Sequence, residues 1–147
     1  MIAQDLLYRV SLQSVQGNLN TEVTALYTDS RKVTPGSAFI ALRGTQVDGH
    51  DYIEQALKNG AALIVAETAP NSVDQTWVCA RNTSIALAEM AANFYQHPAA
   101  QLTIVGVTGT NGKTTVATLL YKLFRALGHR CGLLSTVENR IQDQVID

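Results

Sequence analysis

The strongest constraint on the fold is the string Gly106-Val107-Thr108-Gly109-Thr110-Asn111-Gly112-Lys113-Thr114-Thr115, set between an apolar run from Leu102 to Val107 and a helical pattern from Lys113 to about Leu127. Glycines at this density let the backbone curl with its N–H groups inward, and a helix N-terminus adds positive potential to the same place. The string therefore predicts strand, phosphate-binding loop and helix in succession, which is an α/β unit. Lys113 is expected to reach the β- and γ-phosphates of a nucleotide as a flexible point charge and to serve as the catalytic cation, while the Thr114 hydroxyl ligates Mg²⁺. Gly109, Thr110, Asn111, Gly112, Lys113, Thr114 and Thr115 together form the expected phosphate cradle. The generic spacing asks for glycine at 107, where Val107 stands; Gly106 sits one position early. A glycine-rich turn that binds nothing is the competing reading, and Gly-Lys-Thr at a helix start directly after an apolar run weighs against it.

The residues before this unit alternate in the same way. Leu6, Leu7 and Val10 suggest a short helix closed by Gly17, and Val23 to Thr28 has strand composition. Thr34-Pro35-Gly36 is turn chemistry, and Ser37 to Leu42 reads as a buried strand. Arg43 to Gly49 is a polar loop whose Asp48 caps a helix with Tyr52, Ile53, Ala56 and Leu57 on one face and Gly60 as its stop. Ala61 to Ala66 and Thr76 to Cys79 read as further strands. Asn82 or Thr83 then caps an alanine-rich helix that Pro98 ends. Residues 1–98 are thus expected to form one α/β domain, and residues 99–147 the opening of a second. In that second part Gly128 stops the helix and Gly132 to Val137 reads as a strand. Two parallel strands do not make a domain, so the chain is expected to end inside it.

Composition narrows the function. Hydrophobic residues are 46% of the 147, enough for a packed core, and the net charge of −1 argues against a non-specific nucleic-acid binder. No basic leader precedes an apolar run. The longest charge-free stretch, Met90 to Gly112, contains Asn93, Gln96, His97, Pro98 and Gln101 and does not suit a bilayer. Cys79 and Cys131 lie far apart among apolar neighbours and read as buried thiols. The expectation is a soluble cytoplasmic protein without membrane insertion.

The loop from Gly106 to Thr114 resembles that of the Mur ligases, the ATP-dependent amide ligases of peptidoglycan precursor synthesis. The upstream residues are similar to the same family: Thr28-Asp29-Ser30-Arg31, Pro35-Gly36, Phe39-Ile40-Ala41-Leu42, Gly44, Asp48-Gly49-His50 and Gly60-Ala61-Ala62. Gly132-Leu133-Leu134-Ser135-Thr136-Val137 resembles the strand after the family's first ATPase helix. The resemblance implies a complete N-terminal α/β domain for the UDP-MurNAc-peptide substrate, followed by the first strand–loop–helix–strand unit of a truncated ATPase domain. It implies that Ser30, Thr45, Gln46 and Val47 contact the uridine nucleotide. Thr28 takes a position that is often aliphatic in the family. The family member implied adds the third amino acid to UDP-MurNAc-L-Ala-D-Glu through an acyl phosphate. The alternatives are the member that adds D-Ala-D-Ala, and a stand-alone nucleotide-binding module. The chain by itself is expected to be inactive.

Chemistry alone leaves other readings beside these. Asp29-Ser30-Arg31 also fits a turn with an Asp cap and a surface Arg. His50 reads as a residue at a helix start rather than a catalytic base, and Trp77 as packing rather than a stacking platform.

Overall fold

The computed structural model describes residues 1–45, 47–68 and 75–146. It has the expected mixed α/β architecture and divides into two compact units, Met1–Leu102 and the residues from Thr103 onward.

The first unit is built on five strands: β1 (Leu12–Gln16), β2 (Leu26–Tyr27), β3 (Ala38–Ile40), β4 (Leu63–Ala66) and β5 (Thr76–Ala80), in the spatial order β1-β5-β4-β3-β2. β2, β3, β4 and β5 run parallel, and β1 is antiparallel to β5. β3, β4 and β5 are buried along their whole length, as expected of central parallel strands covered on both faces. Alternation then sorts their side chains. Ala38, Ile40, Leu63, Val65, Val78 and Ala80 face a layer formed by α1 (Ala3–Leu6) and α3 (Thr83–Phe94), which contributes Ala86 and Met90. Phe39, Ala41, Ile64, Ala66 and Trp77 face the other side, against Ala56 of α2 (Ile53–Lys58) and Val33. Asn93 of α3 is buried and donates to the carbonyls of Leu6 and Tyr8 at 2.9 and 2.7 Å, which fastens α1 to α3. Trp77 packs in the core with its ring N–H on the Thr68 carbonyl at 3.0 Å.

Two segments depart from the sequence reading. The N-terminal helix is only one turn long, and Leu12–Gln16 forms the edge strand β1. Its residues are mostly polar and exposed, so neither alternation nor β-branched content marked it. In the second unit the segment 103–108 carries no strand pairing, and Ile104 and Val105 are 69% and 56% exposed. An apolar run becomes a strand only where a partner strand meets its backbone. The helix α4 (Lys113–Ala126) lies where expected, with Gly128 at φ 84° beyond its end. Only Gly132–Leu134 of the expected final strand is extended, as β6. It pairs antiparallel with β7 (Asn139–Ile141), which pairs with β8 (Gln144–Ile146). This unit is a helix beside a three-stranded meander rather than a pair of parallel strands.

Among the described residues neither cysteine is paired; Cys79 is buried and Cys131 half-buried. No described helix is long and apolar enough to cross a membrane.

Candidate functional site

In a parallel sheet the C-terminal ends of the strands share one edge, where α/β folds place their ligand contacts. Here that edge carries Thr28 and Ser30 after β2, the turn with Thr45 and Val47 after β3, and Glu67 after β4. The two segments expected to hold a uridine nucleotide are therefore brought to one edge. Gln46 lies outside the described residues.

Asp29 caps a 3-10 turn formed by Ser30–Lys32 and accepts from the Arg31 N–H at 3.0 Å. The Arg31 guanidinium forks onto the same carboxylate at 2.9 and 2.7 Å. The Arg31 side-chain hydrogen bond, helped by its backbone N–H, lowers the Asp29 pKa to about 2 from an ordinary 3.8. Since the folded value lies below the unfolded one, this fork stabilises the fold above pH 3.8 and its contribution is lost as the pH falls toward about 2. An NMR titration should place the Asp29 midpoint near about 2, and Arg31→Ala should move it back toward 3.8. An unshifted wild-type midpoint would mean that the fork does not persist in solution. Ser30 is buried; its hydroxyl donates to Gln55 Oε1 at 3.3 Å and its carbonyl accepts from Asn59 Nδ2 at 2.9 Å. Thr28 is exposed.

After β3 the chain makes a tight turn. Arg43 and Asp48 bridge its base, and the Gly44 N–H donates to the Val47 carbonyl at 3.0 Å. A side chain at Gly44 would meet that carbonyl at 2.6 Å, and one at Gly49 would meet the Leu42 backbone at 2.8 Å, so only glycine fits either place. Thr45 and Val47 project from the turn, exposed. Asp48 caps the following 3-10 turn through the His50 N–H at 3.0 Å. That bond, with the His50 ring beside it, holds the Asp48 carboxyl below its usual range. Sequence reasoning passed over Glu67 and Arg43, whose Oε2 and Nε stand 3.0 Å apart. A carboxylate directly after the fully apolar run Ala61–Ala66 was the available signal.

The second unit holds the phosphate-loop residues. Gly109 and Gly112 have φ of 149° and 74°, the left-handed region open to glycine, and a Cβ at Gly112 would meet nothing within 4 Å. Gly112 is the N-cap of α4, and no side chain caps this helix. The first bond accepted from within it is Val116 N–H to the Gly112 carbonyl at 2.9 Å, so the N–H groups of Lys113, Thr114 and Thr115 stand ahead of the ladder, as donors an anion can take. Lys113 Nζ folds back onto the Gly109 and Thr110 carbonyls at 2.5 and 3.4 Å. Thr110, Asn111 and Lys113 are exposed and Thr114 half-buried. The cradle, the free donors and the cation fit a triphosphate. For Mg²⁺ the described chain offers the Thr114 hydroxyl; among the described residues no three His, Cys, Asp or Glu side chains gather into a metal site.

Comparison with known proteins identifies the family. The profile of the Mur ligase family, catalytic domain, matches residues 22–105, and that of the Mur ligase middle domain matches residues 107–146. The UDP-N-acetylmuramoyl-L-alanyl-D-glutamate--2,6-diaminopimelate ligase of Cytophaga hutchinsonii is 50% identical over 149 residues, covering 99% of this chain and 31% of that protein. The ligase of the same name from Parabacteroides distasonis is 43% identical, covering 99% of this chain and 30% of its own length. Among solved structures, one of a 2,6-diaminopimelate ligase of this name superposes with a TM-score of 0.67 at 25% identity, over 99% of this chain and 29% of that one. MurF from Acinetobacter baumannii superposes with a TM-score of 0.61 at 27% identity, over 86% of this chain and 28% of that one. The chain thus spans about 30% of the length of the curated relatives it matches. With a profile of the family matched across residues 22–105, this chain belongs to the Mur ligase family.

Proposed function

We propose that this chain is the uridine-nucleotide-binding and ATP-binding part of a cytoplasmic ligase that adds 2,6-diaminopimelate to UDP-MurNAc-L-Ala-D-Glu. Residues 1–98 hold the UDP moiety through Ser30, Thr45, Gln46 and Val47, with Thr28 at the rim. Residues 99–147 begin the ATP-binding domain, with the loop Gly109–Thr115 around the triphosphate. The observation that carries the reading is the uncapped start of α4 behind left-handed Gly112, with Lys113 beside it, in a chain 50% identical to a ligase of that name.

In this mechanism the D-glutamyl carboxylate oxygen attacks the γ-phosphorus of ATP. The bond to ADP breaks, and an acyl phosphate forms. The amine of the incoming amino acid then attacks the acyl carbon, phosphate leaves with the bonding pair, and the ammonium proton passes to base. Lys113 and the loop amides neutralise charge on the transferring phosphoryl group and hold it in line. Mg²⁺, taken on the Thr114 hydroxyl, would neutralise the β- and γ-phosphate oxygens. The relatives' names favour diaminopimelate; assaying the full-length protein with diaminopimelate, lysine and D-Ala-D-Ala separates this reading from the MurF type, and ATP binding without amide formation would leave a binding module.

The chain itself gives a sharper test. Calorimetry should detect binding of UDP-MurNAc-L-Ala-D-Glu, because the sheet edge around Ser30 and Thr45 belongs to a unit with its own core. MgATP should bind poorly, since 103–108 has no strand pairing to brace the loop and the metal has one hydroxyl. Tight MgATP binding with no UDP-precursor binding would put the working pocket in the second unit and overturn its assignment to the first.

A further inference from the structure

His50 sits at the centre of a polar chain that no step above uses. Its ring is largely buried, 14% exposed, between the turn after β3 and the end of β4. Nε2 accepts the Glu67 backbone N–H at 3.0 Å, and an imidazole nitrogen that accepts carries no proton. The proton is therefore on Nδ1, which stands 2.6 Å from Asp48 Oδ1 and donates to it. One neutral tautomer thus ties the turn to the strand beside it. The charged groups around the ring are Asp48 and Arg43 on the turn and Glu67 directly after β4. Glu67 Oε2 pairs with Arg43 Nε at 3.0 Å, and Oε1 accepts from the Thr83 N–H of α3 at 3.3 Å. Glycine at 49 permits the close approach, with its N–H on the Leu42 carbonyl at 2.8 Å.

We propose that His50 is a positioning residue for the uridine-nucleotide turn, whose ring holds Thr45 and Val47 in place by bridging Asp48 on the turn to the Glu67 backbone N–H. The inference rests on the assignment of that turn to the UDP moiety. The acceptor at Nε2 is the contact that reaches from the turn to the residue after β4, so a side chain without it frees the turn even where the bond to Asp48 is kept.

The test titrates the chain with UDP-MurNAc-L-Ala-D-Glu by calorimetry. His50→Asn keeps a donor for Asp48 but loses the acceptor for Glu67, and it should bind about fivefold more weakly than wild type. His50→Gln presents a carbonyl to the Glu67 N–H and should bind like wild type. If His50→Asn does not fold, His50→Gln and nitrogen NMR decide the matter. Nitrogen NMR of the wild type should show the proton on Nδ1. Binding that His50→Asn leaves unchanged, a loss of about fivefold in His50→Gln, or a proton on Nε2 would overturn the positioning role alone. Absence of wild-type binding would overturn the assignment of the turn and the positioning role with it.

Discussion

Lys113→Ala in the full-length ligase should lower kcat/KM for amide formation by more than about 100-fold, a loss of about 3 kcal/mol or more of transition-state stabilisation. Lys113 is the one cation in the loop Gly109–Thr115, and it heads a helix whose first N–H groups are uncapped. In the proposed mechanism the loop amides remain once Lys113 is removed, but a full positive charge next to the transferring phosphoryl group is gone. The fold should survive, because the side chain is exposed and its contacts are the Gly109 and Thr110 carbonyls, which water can satisfy. Steady-state kinetics beside a thermal melt separate the two effects. Wild-type turnover in a folded variant would remove the loop from the mechanism, whereas a collapsed melt would mean that Lys113 is structural.

Phe39→Ala should destabilise the first unit by about 3–5 kcal/mol. Phe39 is fully buried at the centre of β3 and packs on the face shared by Ile64, Ala66, Trp77 and Ala56. Truncation removes a ring that the neighbouring strands and α2 cannot replace, because Ala41, Ala56, Ala61 and Ala66 are too small to close the gap. A domain of this size is stable by about 5–15 kcal/mol, so much of that margin disappears. β3 also leads into the turn with Thr45 and Val47, and loss of UDP-precursor binding should track the unfolded fraction. Urea unfolding followed by Trp77 fluorescence measures this, and a shift below about 1 kcal/mol would mean the core repacks around the gap.

The sequence was most readable where one physical signal acted alone. Ala61–Ala66 has no polar residue, and Leu63–Ala66 within it forms β4 in a covered parallel sheet. Asp48 and Asn82 both cap turns or helices through their side chains, as their chemistry suggested, and Gly60 and Gly128 follow helix ends with positive φ. The Asp29-Ser30-Arg31 segment had two readings. The Asp29 cap and Arg31 fork are formed, and Ser30 faces α2 through Gln55. What could not be read depended on partners distant in sequence. β1 is held by β5 rather than by its own residues, and the run 102–107 lacks such a neighbour. The Arg43–Glu67 and His50–Glu67 contacts join residues 24 and 17 positions apart, a relation no local pattern encodes.

The strand order β1-β5-β4-β3-β2 has a consequence for synthesis on the ribosome. The parallel strands can add in the order they are translated, each docking on the one before, while the first strand made must wait for the last. Gln16 pairs with Trp77, so roughly 60 residues separate the emergence of β1 from that of its partner. At ordinary translation rates of about 5–20 residues per second that is a delay of about 3–12 s, in which a polar, slow-to-aggregate segment is safer at the exit than an apolar one. The polar residues that hid β1 from the pattern, Gln13, Ser14 and Gln16, suit a strand that spends its first seconds unpaired in water.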